Sequence, residues 1–133
     1  IHRNRCIVRS DGFYEWKQVD NSKVPYYIFH EDKKILPMAG LCKWDTNQNG
    51  HKKLVYTIIT KEARESLLHI HHREPVILSK QSMNKWINVH KEEKDPCSLL
   101  YDNLDGIINY QVSKYVNTSS HNSSECISKM SLG

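Results

Sequence analysis

From Arg5 to Thr60 the chain is broken into short aromatic and β-branched runs separated by turn-forming clusters. The runs are Arg5–Val8, Gly12–Lys17, Pro25–Phe29, Ile35–Trp44 and Leu54–Thr60. Between them lie Asp20-Asn21-Ser22-Lys23 and the polar stretch Asp45–Gly50, which carries an Asn-Gly turn signal. Aromatic and β-branched side chains suit a pleated, half-buried surface. Turn signals recurring at this spacing predict antiparallel pairing. Leu54–Thr60 is the clearest strand, and Gly40 inside the fourth run marks a bulge or a close approach of backbone.

The second half mixes in helices. Thr60 is placed to cap one, with Ala63, Leu67 and Leu68 on its apolar side. Pro75–Leu78 reads as a short buried strand. Ser79 is placed to cap a second helix with Met83, Trp86 and Ile87 facing inward. Lys91–Asp95 reads as a charged loop, Pro96–Tyr101 as a short helix, Ile107–Val116 as a last strand and Asn117–Ser124 as irregular chain. The pattern predicts an α+β fold, β-dominated and mostly antiparallel, with short helices. At 133 residues and 15.6 kDa the chain fits one domain or a large part of one. The reading assigns residues 1–126 to that domain and 127–133 to a tail. Because the first strand follows Ile1 almost at once, it also expects the domain to be incomplete at its N-terminus.

Composition narrows the function classes. With 38% hydrophobic and 26% charged residues the chain is polar, yet not depleted enough for wholesale disorder. No apolar run approaches the roughly 20 residues of a membrane span, and no signal-peptide pattern opens the chain. Cys6, Cys42, Cys97 and Cys126 contain no C-x-x-C pair, so neither a zinc ribbon nor a thioredoxin-type motif is indicated. They read as reduced thiols of an intracellular protein, with no metal and no cofactor expected. The net charge of +4 comes from basic residues spread along the chain, which is compatible with a polyanionic partner without specifying one.

Two places carry potential chemistry. In Asp11-Gly12-Phe13-Tyr14-Glu15-Trp16, a period of two puts Phe13 and Glu15 on one face and Tyr14 and Trp16 on the other. A carboxylate among aromatics is costly unless it is paired or lines a cleft. Glu15 is thus a general acid/base candidate or an exposed residue on a sheet edge. The second place is His69-Ile70-His71-His72-Arg73. In extended chain, His69, His71 and Arg73 would point one way and His72 the other. No carboxylate or thiol at suitable spacing completes a metal site. That leaves a proton-transfer histidine with an anion-holding arginine, or a polar loop.

Taken in order, the blocks resemble the SRAP family, the SOS-response-associated peptidase domains that sense abasic sites in DNA. Arg5-Cys6-Ile7-Val8-Arg9-Ser10-Asp11-Gly12-Phe13-Tyr14-Glu15-Trp16 is similar to the family signature R-C-I-[IV]-P-A-D-G-F-Y-E-W. Pro25–Ile28, Met38-Ala39-Gly40-Leu41 with Trp44, and Thr57–Thr60 follow in register. Ile70–Leu78 resembles I-H-x-R-M-P-[VA]-I-L, and Val112-Ser113, Val116-Asn117 and Glu125-Cys126 resemble the closing blocks. Departures are Arg9-Ser10 for Pro-Ala, Cys42 for Trp, Glu74 for Met, Gln111 for Pro and Ser124 for Pro. The family's opening Met-Cys and its Asn-Ala-Arg motif have no counterpart in these residues. The chain therefore resembles the C-terminal portion of such a domain.

The resemblance implies a mechanism. The amine and thiol of an N-terminal Cys attack the ring-opened aldehyde of an abasic site in single-stranded DNA and close a thiazolidine crosslink. The same terminus supports autoproteolysis. Glu15 matches the family's proton-moving carboxylate, and His71 the histidine that assists ring opening and crosslink reversal. Arg73 matches a residue near the DNA phosphates, and Trp16 an aromatic beside the lesion. For Arg73 the structural alternative is an ion pair with Glu74; for Trp16 it is core packing. The implied setting is a DNA damage response by an intracellular monomer, nuclear in a eukaryote and cytoplasmic in a bacterium. Whether the chain is an enzyme stays open, and without the terminal Cys it is expected to be inactive alone. The competing reading is a non-catalytic single-stranded-DNA-binding remnant. An unrelated zinc or redox domain is disfavoured by the Cys and His spacings.

Overall fold

The computed structural model describes residues 4–88, 96–101 and 103–130. Its strands are β1 (Arg5–Ser10), β2 (Gly12–Val19), β3 (Ser22–His30), β4 (Leu36–Thr46), β5 (Lys52–Ile58), β6 (Thr60–Glu62), β7 (Arg73–Pro75) and β8 (Ile107–Gln111). One α-helix, α1 (Lys80–Ile87), and several 3-10 turns complete the described residues. The β-dominated α+β architecture expected from sequence is what the chain adopts. The residues form two compact units, each assembled from three stretches of chain. The first comprises Ile1–Ser10, Leu36–Lys61 and Pro75–Asp105; the second comprises Asp11–Ile35, Glu62–Glu74 and Gly106–Gly133. No described helix is long and apolar enough to cross a membrane.

The first unit is built on an antiparallel sheet in the order β1-β4-β5. Ile7 lies opposite Ala39, and Arg5 opposite Leu41. Alternation therefore sends Ile7, Ala39 and Leu41 to one face, where they pack with Val76, Leu78, Trp86 and Leu99. Helix α1 closes that core. Its Ser79 cap accepts the Ser82 N–H at 3.2 Å, as the sequence predicts. Trp86 is fully buried, and its indole N–H donates to the Cys6 carbonyl at 2.9 Å. Met83 packs partly inward, but Ile87 is exposed because the helix ends there. Val76–Leu78 is buried as expected, yet it meets β4 through a single bridge, Met38 to Ile77, rather than a ladder. Gly40 is a close approach: a Cβ there would lie 3.0 Å from the Cys6 sulfur and 3.1 Å from the Thr57 carbonyl oxygen.

The second unit is built on an antiparallel sheet in the order β2-β3-β8. Val19 pairs with Ser22 across a tight turn in which Asp20 takes a left-handed conformation (φ 52°). Tyr14, Tyr27 and Tyr110 line up across the three strands. Tyr27 stacks on Phe29 at 5.1 Å, and Tyr110 meets both rings edge-on. The C-terminal turns provide acceptors for this face: Tyr14 donates its hydroxyl to the Cys126 carbonyl at 3.0 Å, and Tyr110 to that of Ile127. Gly12 is obligatory, because a Cβ would sit 2.6 Å from the Tyr27 ring and 2.7 Å from the Ile28 carbonyl oxygen.

Two expectations need correction. Thr60 caps no helix; residues 60–62 are strand, and a 3-10 turn (Glu65–Leu67) follows from Arg64. The cause is long-range: the Glu74 carboxylate accepts the Arg64 backbone N–H at 3.0 Å and starts the turn there. Ala63 and Leu67 are still buried, but Leu68 is exposed. The last strand stops at Gln111, because the Ser113 hydroxyl accepts the Tyr115 N–H and opens a 3-10 turn over Lys114–Asn117. Beyond that turn, the Met130 N–H donates to the Gln111 carbonyl at 3.0 Å, and Lys129 bridges Val112. Pro96–Tyr101 is a 3-10 turn, and the charged loop Lys91–Asp95 lies outside the described residues.

Candidate functional site

Every element of the candidate site belongs to the second unit. Glu15 and Trp16 lie on β2, which among the described residues pairs with β3 alone. Glu15 sits opposite Tyr26 and Trp16 opposite Pro25. Glu15 shares its face with Phe13 and Trp16 shares the other with Tyr14, whose ring lies 6.3 Å away. The alternation read from sequence is preserved.

His71 comes from the loop between the Glu65–Leu67 turn and β7. Leu67 and Ile70 are buried and anchor it, and the Leu67 carbonyl accepts the N–H of Ile70 at 2.9 Å and of His71 at 3.2 Å. The loop is clamped at its base by Arg64 and Glu74. The Arg64 Nε lies 3.1 Å from Glu74 Oε2, its Nη2 lies 3.1 Å from Oε1, and Arg64 also donates its backbone N–H. Glu74 is 2% exposed, so its carboxylate is tolerated only because it is hydrogen-bonded and paired. Glu74 makes an ion pair with Arg64, ten residues away in sequence.

Glu15, Trp16, Lys23, His71 and Asn117 line one cleft of about 410 Å³. Glu15, Trp16 and His71 are each half-buried. Glu15 accepts the Trp16 backbone N–H at 3.0 Å on Oε1, which fixes the carboxylate and leaves its other lone pairs for a visitor. The Trp16 indole N–H donates to the Asn117 side-chain oxygen at 2.8 Å, which holds the ring at the cleft wall. The Arg73 backbone N–H donates to His71 Nδ1 at 3.1 Å, nearer than the Arg73 carbonyl oxygen at 3.4 Å, so acceptance by Nδ1 is the better-formed contact. With Nδ1 accepting, neutral His71 carries its proton on Nε2, which is then the nitrogen able to hydrogen-bond a ligand. The His71 and His72 rings stack at 4.5 Å, and His69 meets Tyr26 edge-on at 5.7 Å. Residues 68–70 form a turn and β7 begins only at Arg73, so the extended-chain alternation expected for the three histidines does not hold. Arg73 is exposed, two residues from His71, and is not among the cleft's lining residues.

Sequence reasoning thus found the carboxylate, the indole and the imidazole that share this cleft. It missed Lys23, read only as part of a turn, and Asn117, read only as part of a closing block. The described residues contain no group of three His, Cys, Asp or Glu arranged to hold a metal ion. Chemically, the cleft offers a carboxylate and an imidazole able to pass protons, an amide and an ammonium able to hold oxygen atoms, and an aromatic wall.

Comparison with known proteins bears on what such a cleft belongs to. The profile of the SOS response associated peptidase (SRAP) family matches residues 1–119. The chain is 39% identical over 128 residues to the abasic site processing protein YoaM of Bacillus subtilis, covering 92% of this chain and 56% of YoaM. It is 33% identical over 149 residues to the abasic site processing protein HMCES of Gallus gallus, covering 97% of this chain and 44% of HMCES. Among solved structures, a protein from Bacteroides thetaiotaomicron matches with a TM-score of 0.81 and 28% identity, over 95% of this chain and 57% of the other. The chain spans about half the length of the curated relatives it matches. The signature around Glu15, the loop that carries His71 and the sheet that positions them all fall within the matched span, and the chain belongs to the SRAP family.

Proposed function

We propose that this chain supplies the acid/base half of an abasic-site-processing centre that acts on single-stranded DNA. The observation that carries the reading is the single cleft lined by Glu15 and His71, residues far apart in sequence, with Trp16 and Asn117 hydrogen-bonded at its wall. An abasic deoxyribose opens to an aldehyde. An N-terminal Cys brought to such a cleft adds its amine to the aldehyde, loses water to form an imine, and closes a thiazolidine when the thiol adds to the imine carbon. Each step moves a proton. Glu15 takes the proton that the attacking amine sheds. His71 Nε2 hydrogen-bonds the sugar oxygen and delivers the proton that ring opening requires. Trp16 offers an apolar surface where the missing base leaves a gap. Exposed Arg73 and the cleft's Lys23 favour the phosphate backbone.

The test separates chemistry from binding in the full-length protein. Glu15→Ala lowers crosslink yield at saturating abasic single-stranded DNA while affinity holds or rises, because a carboxylate repels phosphate. Arg73→Ala weakens affinity and reduces the slope of log affinity against log salt by roughly 0.7, the loss of one phosphate contact on a single strand. Loss of affinity alone in Glu15→Ala, or unchanged affinity and salt slope in Arg73→Ala, would overturn these roles. DNA binding with no crosslink under any condition would instead support a binding module without chemistry.

A further inference from the structure

We propose that Cys6 and Cys42 form a redox-active dithiol, a modification site that a hydroperoxide converts into a cross-strand disulfide. The two thiols lie in the first unit, on the sheet face opposite its core. Cys6 on β1 is registered against Gly40 on β4, and Cys42 is two residues further along β4, so both side chains leave the same face. The backbone is locked in that register, with the Cys42 N–H donating to the Asn4 carbonyl at 2.7 Å. Gly40 puts no side chain beside the Cys6 sulfur. A Cβ at that position would be only 3.0 Å from the Cys6 sulfur, which therefore rests over bare backbone.

Both residues are half-buried thiols. Burial first, then the hydrogen bond and charge of Cys42, push Cys6 up to about 11. Cys6 thus holds its proton more tightly than a free thiol. Cys42 also lines an open groove of about 320 Å³, with Asn4, Lys43, Tyr56 and Thr57 among its neighbours. A small oxidant can reach it there.

The chemistry balances in two steps. The Cys42 thiolate attacks one oxygen of the hydroperoxide and the O–O bond breaks, giving a sulfenic acid and, after protonation of the leaving oxygen, water or an alcohol. The Cys6 sulfur then attacks the Cys42 sulfur. The S–O bond breaks, and the departing hydroxide takes the Cys6 proton as a second water. Two electrons pass from the sulfurs to the peroxide, and a dithiol reductant returns them. The site does not depend on the DNA chemistry proposed above.

The experiment treats the full-length protein with a small excess of hydrogen peroxide, blocks remaining thiols by alkylation and digests with trypsin without reduction. Cleavage at Arg5, Arg9, Lys34 and Lys43 leaves Cys6 in residues 6–9 and Cys42 in residues 35–43. The expected product is these two peptides joined, about 2 Da lighter than their sum and separated by dithiothreitol. Cys42→Ser should slow the oxidation of Cys6 by at least about tenfold, since the thiolate that reacts first is gone. Full alkylation of both cysteines after peroxide would overturn the proposal. So would Cys42 recovered joined to Cys97 or Cys126, or as sulfinic acid beside an unmodified Cys6. The wild-type digest decides the matter even if the variant folds poorly.

Discussion

The described residues include two three-stranded antiparallel sheets that are finished differently. In β1-β4-β5 one face is sealed by aliphatic side chains and by Trp86 of α1, while the other leaves Trp44, Leu54 and Tyr56 largely exposed. In β2-β3-β8 one face is a tyrosine-rich aromatic cluster satisfied by C-terminal carbonyls, while β2 also presents Glu15 to a polar cleft. The first sheet is held by shape and apolar area. The second is held by rings with polar tips, and its chemistry is positioned by hydrogen bonds from loops. Local backbone pattern therefore makes a sheet, but what caps its faces decides whether it can carry a site.

Several substitutions would break or sharpen that contrast, and the largest effect is expected in the first unit. Trp86→Ala removes a fully buried ring and its hydrogen bond to Cys6, and should destabilise by about 3–5 kcal/mol. Chemical denaturation gives the magnitude, and hydrogen exchange should show the loss of protection on β1 and β4. A loss below about 1 kcal/mol would mean that shape does not dominate there.

Next is the clamp beneath the His71 loop. Glu74→Gln strips the charge from a buried pair and leaves the Arg64 guanidinium poorly matched, at a cost of about 2–4 kcal/mol. Chemical denaturation gives the magnitude, and a loss below about 1 kcal/mol would mean that the pair does not hold the loop.

The tyrosine face should show a smaller, pH-linked signature. Burial raises the phenols of Tyr14, Tyr27 and Tyr110 above their usual value of 10.0. A phenol harder to ionise in the folded state contributes stability that is intact below pH 10 and fades as pH climbs through the raised folded values. Stability should therefore fall on going from pH 9 into that range, and Tyr110→Phe should flatten the fall. Cys6, pushed up to about 11, adds a loss of the same sign between pH 9 and 11 in the first unit, which Cys6→Ser would remove. The smallest effect is that of Tyr14→Phe, which deletes one hydroxyl bond to Cys126 for about 1 kcal/mol at neutral pH.

The same contrast explains what the sequence could reveal. Strands were legible where aromatic and β-branched residues alternate between turn clusters, and the face shared by Phe13 and Glu15 follows directly from that period. The Ser79 cap and inward Trp86 were legible because both signals are local. The turn at Arg64 was not, because its cap is a carboxylate ten residues downstream, and the apolar spacing of Ala63, Leu67 and Ile70 suits a helix equally well. Glu15, Trp16 and His71 could be singled out by chemical type and by resemblance. Asn117 could not, since its role comes from a hydrogen bond to Trp16 a hundred residues away, which no periodicity encodes. The proximity of Cys6 and Cys42 escaped for a similar reason: it exists only once β1 and β4 are in register.

The central claim is that Glu15 and His71 act as one centre, and a double-mutant cycle tests it most directly. The rate of crosslink formation on saturating abasic single-stranded DNA is measured for the full-length protein, for Glu15→Gln, for His71→Ala and for both together. Each single change should slow the reaction by about 10²–10⁴. The double variant should be little slower than the worse single one, because residues that act as a unit lose their function together. Two independent losses that multiply, or rates unchanged while only affinity falls, would contradict the account.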